Sequence, residues 1–286
     1  MVKSRNIAVI ITSHNRAQIT LRCLNSLYSS YIPREFAITV YLTDDGSTDG
    51  TSKLIREKFP KTVILEGDGH LYWNRGMFKS WKYALKHKHD FYLLLNDDVE
   101  LAKDSIYNLL CLYNESSKNS VIVGRTIDPV SMQTTYGALK RKSRISKNSF
   151  VPVANQQDVA VSFNANCVLI PHRGAWDVGI LDPFYTQQFG DIDLGLRFYK
   201  NGWNIVQCED PVALLEKNFA YSHLSYEFSY KSFKELLLDP KGIPAREWWY
   251  FLKKFNGISA IFYFLYRYLK LLTFGFGNMM RKRDKF

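Results

Sequence analysis

Phe91-Tyr92-Leu93-Leu94-Leu95 runs straight into Asn96-Asp97-Asp98, and this junction constrains the chain more than any other feature. Five consecutive apolar residues fit a strand covered on both faces, because a half-exposed strand alternates apolar with polar. Two adjacent carboxylates at the mouth of such a strand are costly unless a ligand or partner compensates them. The pattern has a precedent upstream, where the strand signal of Ala37 to Thr43 closes on Asp44-Asp45-Gly46. One acidic pair is common by chance. Two, each ending a buried strand, are not.

Ile7 to Ile11 and Thr62 to Leu65 read as further strands, with helical stripes over Gln18 to Ser29, Thr51 to Lys58 and Asn74 to Lys86. Such alternation predicts α/β architecture, a mostly parallel, doubly wound central sheet flanked by helices. Ligands of such sheets bind at the carboxyl ends of the strands. The second half predicts strands at Val121 to Val123 and Ile205 to Cys208, one or two strands within Val159 to Ile170, and a helix from Asp191 to Lys200. Lys140 to Asn148 reads as a basic loop, and the chain turns helical and aromatic from Tyr230. A chain of 286 residues fits one large domain with an extension. The expected division is 1–228 (a nucleotide-binding half 1–100, an acceptor-binding half 101–228) followed by a helical extension 229–286.

The first strand opens onto Thr12-Ser13-His14-Asn15-Arg16, with neither a dinucleotide-binding glycine pattern nor a P-loop. Polar side chains here, Thr12, His14 and Arg16 among them, suit hydrogen bonds to a nucleotide; Ser13 and Asn15 read equally well as a helix cap and turn. Asp45 suits the donor groups of a base or a ribose hydroxyl. Strand alternation would point Asn96 and Asp98 to one side and Asp97 to the other. A hard cation bridging phosphates needs only one or two protein carboxylates. Asp98 is the first choice of ligand, with Asp97 or Asn96 reaching a ribose or a second coordination position.

The formal net charge of +11 points to a negatively charged partner. No nucleic-acid module is present, and acidic strand ends repel phosphates without a cation, so nucleic acid is not expected as a partner. Cys23, Cys111, Cys167 and Cys208 lack metal-ligand spacing, and Cys23, Cys111 and Cys208, set among apolar residues, read as small core residues of a reducing compartment. With no signal-peptide pattern at the N-terminus, the expected location is cytoplasmic. From Glu247 onward aromatic and basic residues mix, and Arg267 and Lys270 interrupt the apolar stretch that starts at Ile258. That mixture suits a helix lying on the inner face of a membrane. Trp248, Trp249, Phe262, Phe264 and Tyr268 would then sit at the acyl boundary and the cations, including Arg281, Lys282, Arg283 and Lys285, near anionic headgroups. A helix packed on the catalytic domain or in a homodimer is the alternative.

Four motifs together, T-S-H-N-R, T-D-D-G-S-T-D-G-T, L-L-N-D-D-V and F-G-D-I-D-L-G-L-R-F, resemble the GT-A-fold glycosyltransferases, specifically glycosyltransferase family 2. The resemblance covers roughly the first two-thirds of the chain. It implies that Thr12, His14 and Asp45 bind base and ribose, and that Asp97 and Asp98 hold the DXD-type position, Asp98 carrying Mn²⁺ or Mg²⁺ against a diphosphate. Asp191 matches the aspartate of a Glu-Asp pair that serves as catalytic base, with Gly190 in place of the glutamate; a helix N-cap is its structural alternative. Gly67 to Met77 resembles a segment of a bacterial polysaccharide-building branch whose helix start, with Arg75, meets the donor. His223 falls where some relatives place a late metal ligand. The implied activity is inverting transfer of a sugar, hexosyl or deoxyhexosyl, from a nucleotide-sugar donor to a glycan or lipid-linked glycan acceptor. A nucleotidyltransferase would want a glycine-rich loop where T-S-H-N-R stands. A non-catalytic carbohydrate-binding protein would not need Asp45, Asp98 and Asp191 together.

Overall fold

A computed structural model describes residues 5–143, 147–155, 157–216, 237–242 and 244–283, with side chains of the last helix described through Lys270 and at Thr273. The chain divides into two units, Met1–Thr186 with Gly190–Lys217, and Gln187–Phe189 with Asn218–Phe286. The boundary expected at 228/229 lies outside the described residues.

The first unit opens with β1 (Arg5–Ser13), α1 (Ala17–Ser29), β2 (Phe36–Asp44), α2 (Thr51–Lys58), β3 (Val63–Glu66), α3 (Tyr72–Ala84) and β4 (Phe91–Leu95). Alternate strand residues feed opposite faces of the sheet. Ile7, Val9, Ile11 and Leu93 pack with Leu24 and Leu27 of α1 and Ile55 of α2. Ala8, Ile10, Tyr92 and Leu94 pack with Met77 and Trp81 of α3. Every residue of β4 is at most 1% exposed, so both faces are covered. Each of its larger apolar side chains contributes on the order of 2 kcal/mol by leaving water.

Beyond β4 come β5 (Glu100–Leu101), α4 (Ser105–Glu115), β6 (Ser120–Ile127), β7 (Thr134–Tyr136), β8 (Ala138–Arg141), β9 (Phe150–Pro152), β10 (Ser162–Phe163), β11 (Cys167–Pro171), α5 (His172–Val178), α6 (Gly190–Lys200) and β12 (Asn204–Leu214). The main sheet has the order β3-β2-β1-β4-β11-β6-β12-β5, with β7 on β6, while β10-β8-β9 forms a small separate sheet. Lys140 and Arg141 belong to β8 rather than to a loop. Strands β3, β2, β1 and β4 are parallel. The sheet is mostly parallel, as expected, with β11 running antiparallel between β4 and β6. This insertion sets Cys167 opposite Leu95 and so delivers the Asn164–Asn166 turn to the carboxyl end of β4.

In the second unit α7 (Ala245–Asn256) and α8 (Ala260–Arg283) follow one another. Trp248, Phe251 and Phe189 stack together. The Arg267 guanidinium lies 4.2 Å from the Trp248 ring centroid. Burial lowers the Arg267 pKa. Trp248 and Arg267 therefore face inward, which corrects their assignment to an acyl boundary and a headgroup layer. The large apolar residues left exposed on α7, α8 and the link between them, among the described residues, are Trp249, Ile258, Ile261, Phe262, Leu265, Tyr266 and Leu269. Among the described residues no helix is long and apolar enough to cross a membrane.

Helix α6 docks on β10 through Gly195, where a Cβ would lie 2.7 Å from Ser162 Cα and 2.9 Å from the Phe163 backbone nitrogen. Those neighbours are backbone and cannot rotate away. Gly195→Ala should destabilise the fold by about 1–3 kcal/mol, the range of overpacked interiors. Thermal denaturation checks this, and an unchanged midpoint would show that α6 does not press on β10.

Candidate active site

Strand β4 stops at Leu95, and the next four residues form a turn in which the Val99 N–H donates to the Asn96 carbonyl at 3.3 Å. Strand alternation therefore ends before the acids. Asp97 and Asp98, expected on opposite sides, converge on Arg16, whose Nη1 donates to Asp97 Oδ1 and to Asp98 Oδ2 at 3.0 Å each. Asn96 turns elsewhere. Its Oδ1 accepts the Trp73 Nε1–H at 2.8 Å, its Nδ2 donates to Asn166 Oδ1 at 2.9 Å, and its backbone N–H bonds the Asn166 carbonyl at 3.0 Å.

Burial pushes the Asp97 carboxyl up to about 6; Arg16 opposes the shift and the Asp98 charge adds to it. Burial works against the Arg16 charge, but Asp97 and Asp98 more than offset it and hold its pKa above the ordinary arginine value. Asp97 Oδ2 and Asp98 Oδ1 are buried and accept no hydrogen bond. Two orphaned carboxylate oxygens of this kind suit a divalent cation, which takes oxygen ligands at about 2.0–2.6 Å. Among the described residues no group of three or more His, Cys, Asp and Glu side chains could hold a metal. His223 lies outside the described residues.

Around the ends of β1 and β2 the structure is organised by Asp45, which accepts the Gly69 N–H at 2.9 Å on Oδ1 and the Tyr72 N–H at 2.8 Å on Oδ2. Its carbonyl accepts from His14 Nδ1 at 2.5 Å, leaving His14 Nε2 to accept from Asn15 Nδ2 at 3.1 Å. Asn15 and Tyr72 have φ of 52° and 55°, a left-handed conformation that costs a tyrosine on the order of 1–3 kcal/mol. One turn restrains both: Asp45 holds Tyr72, while Ser47 Oγ and the Thr48 N–H hold Asn15. Thr12 is turned into the joint between β1, β2 and α3; its hydroxyl donates to the Thr43 carbonyl at 3.2 Å and its side chain abuts Gly76. Asp49 accepts from the backbone N–H groups of Thr51 and Ala17 and so ties the start of α2 to that of α1.

Asp191 stands in the first turn of α6, where it accepts the Ile192 N–H at 2.8 Å and the Ala165 N–H at 3.4 Å. Part of its surface stays open to solvent, yet protein packs closely enough that burial raises its carboxyl pKa against these hydrogen bonds. The Asn164–Asn166 turn thereby joins the two halves of the site, since Asn166 holds Asn96 and Ala165 holds Asp191. Nothing in the sequence marked that turn, because three small or amide residues carry no periodicity. Asp193, fully buried, accepts from Arg197 Nε at 2.7 Å and from the Tyr185 hydroxyl at 3.2 Å. Arg75 points away from the acids; its Nε donates to the Pro183 carbonyl at 3.1 Å and its Nη2 to that of Phe184 at 3.4 Å.

Gly190 has a local cause as well. Asn74 is fully buried and donates to the carbonyls of Asp182 and Tyr185 at 2.8 and 2.7 Å. A Cβ at residue 190 would overlap Asn74 Oδ1 and lie 2.6 Å from Asn74 Cγ. A side chain at 190 would therefore force Asn74 out of the position from which it bonds Asp182 and Tyr185. A separate groove of about 1510 Å³ runs along β12, lined by Asn155, Asp158, Tyr199, Trp203 and Gln207 among others; none of the candidate residues lines it.

A family model described as glycosyl transferase family 2 matches residues 8–167, more than half of the chain. No curated protein sequence matches. Among solved structures, a mannosyltransferase from Pyrobaculum calidifontis in complex with GDP-Man and Mn²⁺ has a TM-score of 0.55 at 12% identity, covering 87% of this chain and 62% of its own. S. aureus TarS has a TM-score of 0.52 at 16% identity, covering 88% of this chain and 44% of its own. Residues 1–349 of TarS in complex with UDP give 0.55 at 14% identity, covering 89% and 73%. The chain thus spans less than two-thirds of the length of the first two, and at these identities the likeness is one of fold: a GT-A sheet with helices.

The Asn74–Gly190 contact makes a prediction. Gly190→Ala should lower the melting temperature and weaken the hold on Asp191, because the methyl group meets a buried amide. Asn74→Gly should restore part of the stability when combined with it. Equal melting temperatures for Gly190→Ala and the parent chain would contradict the contact.

Proposed function

The chain belongs to glycosyltransferase family 2, and on that premise we propose that it is an inverting transferase moving a hexosyl or deoxyhexosyl group from a nucleotide-sugar to a glycan or lipid-linked glycan. One observation carries the reading: a single hydrogen-bonded turn, Asn164–Asn166, ties the Asp97–Asp98 end of β4 to Asp191. That the fold relatives are complexed with GDP-Man and Mn²⁺, or with UDP, supports a nucleotide-sugar donor.

Asp98, with Asp97, would hold Mn²⁺ or Mg²⁺, which when bound supplies Lewis-acid assistance to a departing diphosphate. Asp45 and His14 line the nucleotide side, and Thr12 sets the joint beneath them. Arg75 contributes through the 183–184 carbonyls that it grips. Asp191 takes the proton from the acceptor hydroxyl. Its pKa, raised by burial, makes it a stronger base than an ordinary aspartate, and general-base catalysis is worth about 10²–10⁴-fold. One base and no enzyme nucleophile gives single displacement with inversion. The His223 metal assignment remains part of the proposal, on residues outside those described.

The exposed apolar face of α8 supports peripheral attachment to a membrane, in keeping with assembly of a surface polysaccharide. Phe262→Glu with Leu265→Glu should release the protein from anionic vesicles while preserving its melting temperature, since both side chains are exposed. If co-sedimentation is unchanged, the face does not touch lipid; if the double variant instead converts a dimer to a monomer, the face is a homodimer contact.

The chemistry has its own test. Asp191→Asn should abolish transfer yet leave the melting temperature at neutral pH unchanged or higher. The parent pays to ionise a carboxyl whose folded pKa is raised, and stability from such a group falls as pH rises through that pKa. The acid limb of the parent's rate profile should lie above the ordinary aspartate value of about 3.9, with activity lost as pH falls and the base is protonated. NMR of the product should show an inverted anomer. Retention of configuration, or full activity in Asp191→Asn, would overturn the assignment.

A further inference from the structure

Arg16 stands where a cation would be drawn. Its Nη1 alone reaches both acids, at 3.0 Å from Asp97 Oδ1 and 3.0 Å from Asp98 Oδ2, with the other two carboxylate oxygens buried and unpartnered. No other cation among the described residues pairs with either acid. One positive charge against two negative charges is incomplete compensation, so the pair keeps a demand for more charge.

We propose, resting on the reading of Asp97 and Asp98 as metal-holding residues, that the Arg16 guanidinium is their resident counter-ion and that a divalent cation binds by exchange with it. The two cannot share the position. A cation bound by both acids needs oxygens at about 2.0–2.6 Å and would face a positive guanidinium at contact distance. Exchange is mechanically open to Arg16. Its side chain is the more exposed member of the cluster, at 38% against 9% for Asp97 and 21% for Asp98. Arg16 also lies in the short link between β1 and α1, caps α1 with no side-chain hydrogen bond, and follows the left-handed Asn15. Once expelled, a guanidinium finds its best new partner in a diphosphate, which its planar fork matches in geometry and charge. Arg16 would therefore make cation binding weak until a nucleoside diphosphate arrives, so that metal and donor load together.

The test is a titration with Mn²⁺ alone, following the electron paramagnetic resonance signal of the free ion, on the full chain and on Arg16→Gln. Arg16→Gln should bind Mn²⁺ at least tenfold more tightly than the parent. Adding UDP or GDP should tighten Mn²⁺ binding to the parent far more than to the variant. Methylguanidinium should compete with Mn²⁺ in Arg16→Ala, an effect that a purely structural arginine would not produce. Should Arg16→Gln fold poorly, Arg16→Lys serves: its ammonium lacks the fork, and an affinity between those of parent and Arg16→Ala is expected. Equal or weaker Mn²⁺ binding in the variants, with the parent binding Mn²⁺ normally, overturns the exchange and leaves the metal assignment standing. Failure of parent and variants alike to bind Mn²⁺, with or without UDP or GDP, removes the metal assignment and the exchange with it.

Discussion

The Asn96 side chain bridges the Trp73 indole and Asn166, and much of the site's geometry hangs on these two bonds. Through Trp73 the end of β4 is tied to the start of α3, and through Asn166 to the turn that restrains Asp191. Three elements distant in sequence are thereby held within a few hydrogen bonds of one another. A neutral amide can do this because it donates and accepts at once. An aspartate at this position could accept from Trp73 but, once ionised, could not donate to Asn166. The asparagine that precedes the acidic pair is thus a structural joint.

That joint presses two carboxylates into a place where water is scarce. The fold tolerates them through Arg16 and through a raised pKa at Asp97. Asp193 shows the contrasting solution: more deeply buried than either acid, it is engaged by Arg197 and Tyr185, and serves to fasten α6 to the 178–185 stretch. Asp193 differs from Asp97 and Asp98 in its partners: both of its carboxylate oxygens accept hydrogen bonds, whereas each of the paired acids keeps one oxygen without one.

Strands β1, β2 and β4 and helices α1, α2 and α3 were legible in the sequence because burial on both faces leaves unbroken apolar runs and packing leaves helical stripes. The strand-end acids were legible for the same reason. Three things were not. The antiparallel β11 carries the same apolar run as a parallel strand would. The turn after Leu95 broke the alternation used to orient Asn96, Asp97 and Asp98, since side-chain direction follows from local backbone rather than from residue type. The inward turn of Arg267 onto Trp248 was hidden because a cation stacked on an indole and a cation facing water have the same sequence signature.

The proposed site would receive a nucleoside diphosphate together with a divalent cation held by Asp98, with Asp97. Calorimetric titration of the protein with UDP and GDP, each with and without Mn²⁺, measures this directly. Saturable binding of at least one of them that strengthens at least tenfold when Mn²⁺ is present is the expected result. Absence of binding by either nucleotide under both conditions, or binding indifferent to Mn²⁺, would contradict it.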